Sequence, residues 1–227
     1  MTSRLLRLSI LLVIVPAIIG AGTFIFEDRK YVFISIILVG CTLLPFILSF
    51  EKKESNIRYM IVVAVLTALS VVGRFVFVAL PGFKPVAAIV IITAVYFGSE
   101  AGFLVGALTA FISNLYFGHG PWTPFQMFAW GVIGVIAGLP WIRTMLEKHK
   151  WMIVMMGLFA GVFFSLLMDF WTVLSIDGVF NIPRYLTAVG FSLPFMTVYA
   201  VSNAIFLFII MKPAGILLNR IKKKYGI

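Results

Sequence analysis

Little in this 227-residue chain is equipped for covalent chemistry. It has one cysteine, Cys41, set inside an apolar run. A lone cysteine excludes an intrachain disulfide and any multi-cysteine metal site. Its two histidines, His119 and His149, fall on opposite membrane faces in the topology derived below, so they share no metal. Acidic residues number eight, and no two carboxylates share a predicted helix. HExxH, GxSxG and the phosphate-cradling GxxxxGK[ST] are all missing. Serines and threonines are plentiful, but none has a plausible base beside it. These absences argue against an enzyme, a resident metal and a catalytic cofactor. Charge is scarce too, at 11% of residues, which leaves no room for a soluble domain between the apolar runs.

What is present is hydrocarbon. The chain is 62% hydrophobic with a mean hydropathy of +1.12. A transmembrane helix needs about 20 apolar residues, and eight runs qualify or come close: 5–25, 31–50, 57–80, 85–98, 101–118, 123–142, 151–176 and 187–212. The fourth is short and is expected to begin inside a loop. Arg4 and Arg7 before the first run imitate a signal peptide. No small-x-small cleavage site precedes Glu27, so the run reads as a retained helix.

The cations are lopsided. Thirteen of the 18 lie at the N-terminus, in the loop 51–58, in the loop 141–150 and in the tail from Lys212. Four (Arg29, Lys30, Lys84 and Arg184) lie in the alternate loops, and Arg74 lies within a span. The positive-inside rule then puts both termini in the cytoplasm. The net charge of +10 sits at span ends, where it faces anionic headgroups and cytoplasmic partners rather than nucleic acid.

The polar loop EKKESNIR (51–58) divides the chain into a two-helix N-terminal hairpin, 1–50, and a six-helix unit, 51–227. The hairpin is plain, with Pro16 and Pro45 as expected kinks. The core is denser in glycine, proline, aromatics and amides. Gly102, Gly106 and Ala110 recur every four residues, as do Gly134 and Gly138. Such stripes let helix backbones approach closely. Ala64 and Ala68 repeat the spacing in the third span.

Ionisable groups inside a span cost about 2.5–3.5 kcal/mol on insertion scales and usually face a cavity or a partner. Arg74 and Asp169 qualify, both toward the outer ends of their spans. They read either as a salt bridge or as the polar floor of an outward-facing pocket, two readings that can coexist. Glu100, at an inner turn, reaches water. The outer loops LPGFKP (80–85), FGHGPWTPFQ (117–126) and SIDGVFNIPRYL (175–186) are stiff, aromatic and amide-bearing. Such loops suit a small organic ligand, with rings stacking on Trp or Tyr and amides fixing its orientation. Trp and Tyr also gather at membrane interfaces with no ligand. Asn114 and Gln126, within or near spans, must find partners and are better pocket candidates; Asn203 reads as helix–helix glue.

The stretch FKPVAAIVIITAVYFGSEAGFLVGALTAFISNLYFGHGPWTPFQMFAWGVIGVIAGL (83–139) resembles the substrate-binding S components of energy-coupling factor (ECF) vitamin transporters. The resemblance covers about residues 57–227 and is most specific over 117–131. It implies an all-α integral membrane protein of the prokaryotic cell (plasma) membrane. Here about eight helices are expected, a six-helix S-component core preceded by the hairpin, two more than the family's usual six. It further implies capture of a vitamin from outside and delivery by reorientation on a transmembrane coupling protein (EcfT-type), powered by two separate ATPase subunits. The vitamin would be the transported ligand, not a cofactor. The expected substrate-binding residues are Arg74, Lys84, Asn114, His119, Trp122, Gln126, Trp130, Asp169 and Arg184. Ala64 and Ala68 would dock the coupling protein. The GPWTPFQMFAWG segment looks closest to the cobalamin-type subfamily, with queuosine precursors, riboflavin, pantothenate and thiamine precursors left open. Two other classes compete: a membrane scaffold or morphogenesis-type bundle, and a stand-alone secondary transporter, which would show midplane ion ligands in an inverted repeat.

Overall fold

The computed structural model describes residues 57–120, 122–178 and 180–226. The predicted hairpin 1–50 and its boundary with the rest, together with Cys41, lie outside the described residues. Among these there are seven α-helices and no strand. They are α1 (Ile57–Val76), α2 (Val86–Phe97), α3 (Ser99–Phe117), α4 (Thr123–Ala137), α5 (Pro140–Lys148), α6 (Lys150–Asp177) and α7 (Ile182–Tyr225). Six of them fall where the sequence places the core spans. Four (α1, α3, α6 and α7) are long and apolar enough to cross a bilayer, and the bent pair α4–α5 makes a fifth. Only this part of the expected eight-helix count can be read from the described residues.

The bundle is inside-out relative to a water-soluble one. On α1 the buried face carries Thr67, Ser70 and Arg74, while Ile61, Val65, Leu69 and Val72 are exposed. Lipid rewards an apolar exterior, so the polar stripe turns inward. Ala64 and Ala68 are on the exposed side of the same helix.

At twelve residues, α2 is about 18 Å long, well short of the roughly 30 Å hydrocarbon core. Ten of its residues are buried, so it forms the centre of the bundle. It is short because the loop before it dips inward. Gly82, at φ +78°, lies against Phe195 and Val198 of α7, where a Cβ would come within 3.3 Å of the Phe195 carbonyl oxygen. Pro85 gives α2 no side-chain cap. The need is met from α7: Ser202 Oγ accepts from the Lys84 N–H at 2.9 Å, and Asn203 Oδ1 accepts from the Ala88 N–H at 3.1 Å. Asn203 is therefore the interhelical tie the sequence suggests.

The glycine stripes bring α3 and α4 into backbone contact. A Cβ on Gly102 would meet the Gly134 Cα at 3.0 Å, and one on Gly106 would meet the Trp130 carbonyl at 2.6 Å. A second seam, between α6 and α7, rests on Gly157 and Gly161 against Ala204 and Ala200. Past α4 the axis bends by 73° into α5, with Pro140 opening the new helix. The predicted span 123–142 therefore ends at Ala137. Another correction concerns the last outer loop. It is only 178–181, because Asn181 caps α7 by accepting from the Arg184 N–H at 3.2 Å. Arg184 and Tyr185 are thus helical, and α7 runs on through the basic tail to Tyr225.

Candidate functional site

One end of the bundle carries the basic residues of the α5–α6 turn and the α7 tail. Toward the other end, a polar chain links α1, α3 and α4. The Arg74 guanidinium donates through Nη1 to Ser113 Oγ and to Asn114 Oδ1, the latter at 2.9 Å. Asn114 Nδ2 donates in turn to Gln126 Oε1 at 2.8 Å and to Thr123 Oγ1 at 2.9 Å. Arg74 also lies over two rings, 4.4 Å from the centre of Phe117 and 5.4 Å from that of Trp130.

Trp130 joins this chain to an aromatic box. Its ring stacks on Phe164 of α6 at 5.1 Å and 11°, and its Nε1–H donates to Tyr199 Oη at 2.9 Å. Tyr199 meets Phe164 edge-on at 5.1 Å and stacks on Phe195 at 6.0 Å. The half-buried Lys84 ammonium approaches Phe195, 5.7 Å from the ring centre. Burial pushes its pKa down to about 8, and the positive charge of Arg74 adds to the shift. Neither Arg74 nor Lys84 forms an ion pair with a carboxylate among the described residues. The result is a set of aromatic faces beside two cations and two amides, held by five helices and one loop.

The salt bridge between Arg74 and Asp169 does not form. Arg74 is turned toward α3, whereas Asp169 sits in the seam of α6 with α7 and accepts from Ser192 Oγ. The physical reason is adjacency: α1 packs on α2 and α3, and α6 packs mainly on α7 and α4. Asp169 and Asp177 do share one helix, contrary to the predicted spans, but they stand two turns apart.

Of the nine expected ligand residues, the structure gathers Arg74, Lys84, Asn114, Gln126 and Trp130. The rest lie around them. His119 is exposed, its ring tilted at 52° to that of Phe111, and lies 3.4 Å from Thr123 Oγ1. Trp122 meets Trp171 edge-on at 5.8 Å, away from the box. Arg184 is half-exposed and paired with Asp177 at 2.6 Å. Sequence reasoning missed Phe164, Phe195 and Tyr199. A tyrosine inside a span needs a partner for its hydroxyl, and that signal was available for Tyr199. Two phenylalanines among 23 carried none.

A family model described as ECF-type riboflavin transporter, S component, matches residues 54–220. No curated protein and no solved structure matches the chain.

Proposed function

The chain belongs to the family of ECF-type riboflavin transporter S components, and from that premise we propose that it captures a flavin-type vitamin at the aromatic box. The family is one of transport subunits rather than enzymes, and its members are membrane proteins. The observation that carries the ligand reading is the box itself, with Trp130, Phe164 and Tyr199 mutually in contact beside Lys84 and Arg74.

A flavin ring is flat on both faces, so it can stack on an indole or phenyl ring. Its polar edge carries two carbonyls flanking an N–H. Lys84 and Arg74 would donate to the carbonyls, and the Asn114 and Gln126 amides have both donors and acceptors to exchange for that edge. A corrinoid, the sequence's first expectation, carries axial ligands on the metal at its centre and offers no bare ring face to Trp130. The family description and the ring chemistry therefore both favour a flavin. His119, Trp122 and Arg184 then belong to the rim of the entrance, and Asp169 to the hairpin that flanks it.

In this reading the basic end is cytoplasmic, with both termini on that side, and the box, buried in this structure, lies toward the outer side. A coupling protein of the EcfT type would engage the exposed notch at Ala64 and Ala68, and two ATPase subunits would supply the energy. Residues 1–50 would be an accessory hairpin beside the substrate-binding unit 51–227.

The test is titration of riboflavin, and separately hydroxocobalamin, into the detergent-purified protein, following quenching of flavin fluorescence and of tryptophan emission. Saturable riboflavin binding is expected, weakened tenfold or more by Trp130→Leu and left within about twofold by Arg184→Gln. Binding of hydroxocobalamin but not riboflavin would overturn the ligand assignment.

A further inference from the structure

The charged end of the molecule holds a feature that vitamin capture does not use. Between the α5–α6 turn and α7 lies a hollow of about 690 Å³, whose mouth carries Lys148, His149, Lys150, Lys212 and Asn219. Its only acid, Glu147, is paired with Arg143 at 3.2 Å. Arg220, Lys223 and Lys224 line an adjoining hollow that shares Ile216 and Asn219 with the first. The positive charge here is thus concentrated and largely uncompensated among the described residues.

The hollow continues into the hydrocarbon zone. Phe208 and Ile209 belong both to it and to a second, apolar trough of about 470 Å³ between α6 and α7. That trough is walled by Val154, Leu158, Val201, Ala204 and Ile205 and presents almost no polar surface. Along α7 it covers Val201 to Ile209, about 12 Å at 1.5 Å per residue. The trough exists because the glycines of α6 draw α7 into backbone contact at Gly157 and Ala204. The larger side chains on either side are left standing as its walls.

We propose that this groove is a binding site for one anionic phospholipid, with its phosphate-bearing headgroup on Lys148, Lys150 and Lys212 and an acyl chain along the α6–α7 trough. The charge complementarity selects an anionic headgroup over a zwitterionic one. The contiguous apolar trough selects a lipid over a soluble phosphate, because a soluble anion would leave that wall unused. The site does not depend on which vitamin is carried. It would hold the α6–α7 hairpin to the cytoplasmic leaflet through a specific lipid rather than through a diffuse charge effect.

The experiment is native mass spectrometry of the full chain equilibrated with equal amounts of phosphatidylglycerol and phosphatidylcholine of matched chains. The wild-type protein is expected to retain one phosphatidylglycerol in at least tenfold preference. Lys148→Gln/Lys150→Gln/Lys212→Gln should abolish the preference. Ile205→Trp, which fills the trough with every charge intact, should release the lipid as well. Arg184→Gln removes a cation near the far end of α7 and should leave retention unchanged. Equal retention of the two lipids by wild type, which needs no variant to observe, would overturn the proposal. So would equal loss in the Arg184 control, or retention unaffected by Ile205→Trp.

Discussion

Arg74 is a fixed charge with 9% of its surface exposed, and no described carboxylate neutralises it. It is tolerated because the inner faces of α3 and α4 together supply a hydroxyl, an amide and two rings. Asn114 is the hub of that arrangement, since it accepts from Arg74 and donates to both Thr123 and Gln126. Asn114→Leu would take one partner from each of the three, leaving Arg74 with Ser113 and Thr123 with the Gly120 N–H, at about 1–3 kcal/mol for any polar group left buried and unpaired. A lowered unfolding temperature in detergent checks this; an unchanged one would mean the chain is not holding the site together.

Lys84 makes a different prediction. Its neighbours are Arg74 from α1, with Phe195 and Ser202 from α7, and no described carboxylate pairs with it. Its pKa is about 8 in the folded protein, against 10.5 as the ordinary value. Between those two values the unfolded chain binds more protons, so this group's contribution to stability rises as pH climbs from about 8 toward 10.5. Below pH 8 the cost of burying the ammonium, added to by the charge of Arg74, is present in full. Lys84→Met should therefore raise the unfolding temperature most at pH 7, and by progressively less above pH 8. A gain independent of pH would disprove the charge explanation. Lys84 and Trp130 entered through the resemblance to the family, whereas Arg74, Asn114 and Gln126 were legible in the sequence because a charge or an amide in or near a span demands a partner. Phe164 and Phe195 were not, because a phenylalanine among lipid-facing phenylalanines looks the same from either side.

At the scale of the element, small-residue spacing was the most readable signal. Gly102, Gly106 and Gly134 sit in the α3–α4 seam, where backbone meets backbone with no flexible side chain to give way. The seam of Gly157 and Gly161 has the same spacing and passed unnoticed among the residues of a long apolar run. Gly134→Ala would put a Cβ 2.4 Å from the Gly102 carbonyl carbon. It should destabilise by about 1–3 kcal/mol or more, as overpacking does. Gly190→Ala, on α7 with open space around it, should be neutral or stabilising by up to about 1 kcal/mol. Thermal unfolding of the two variants side by side checks the contrast.

Helix ends were harder to read than helix cores. Hydropathy marks where a chain is in hydrocarbon, and α7 continues past that zone at both ends, started by Asn181 and carried on by its lysines. Bends were hard as well: the α4–α5 break depends on where Pro140 can sit, which hydropathy does not register. On α1 the exposed pair Ala64 and Ala68 leaves a shallow notch among Ile61, Val65 and Leu69. Ala64→Trp/Ala68→Trp should leave riboflavin affinity within about twofold and abolish co-purification with a coupling protein and two ATPases. Lost ligand binding with intact assembly would remove the docking role.

For the whole molecule, the inverted arrangement of polarity connects the fold to its task. An apolar exterior with its charge gathered at one end suits a body that stays in lipid, and it would suit the proposed reorientation there. The polar stripe of α1, the capped entry to α2 and the box on α4, α6 and α7 then form one continuous interior. A scaffold protein would need the seams but would have no use for two unneutralised cations beside stacked rings. A secondary transporter would be driven by a proton or sodium gradient, without ATP. The gathering of basic residues at one end was legible from the charge count, since Lys148, Lys150 and the α7 lysines stand together there. The box was not, since it is assembled from three helices whose mutual placement no local pattern records.

The central claim is that this interior holds a flavin. The most direct measurement is mass spectrometry of small molecules released from the full-length protein purified in detergent after expression in rich medium. The account predicts a flavin in close to one-to-one amount with the wild-type chain and much less with Trp130→Leu. A stoichiometric corrinoid in its place, or a protein that arrives empty and binds no added riboflavin, would contradict it.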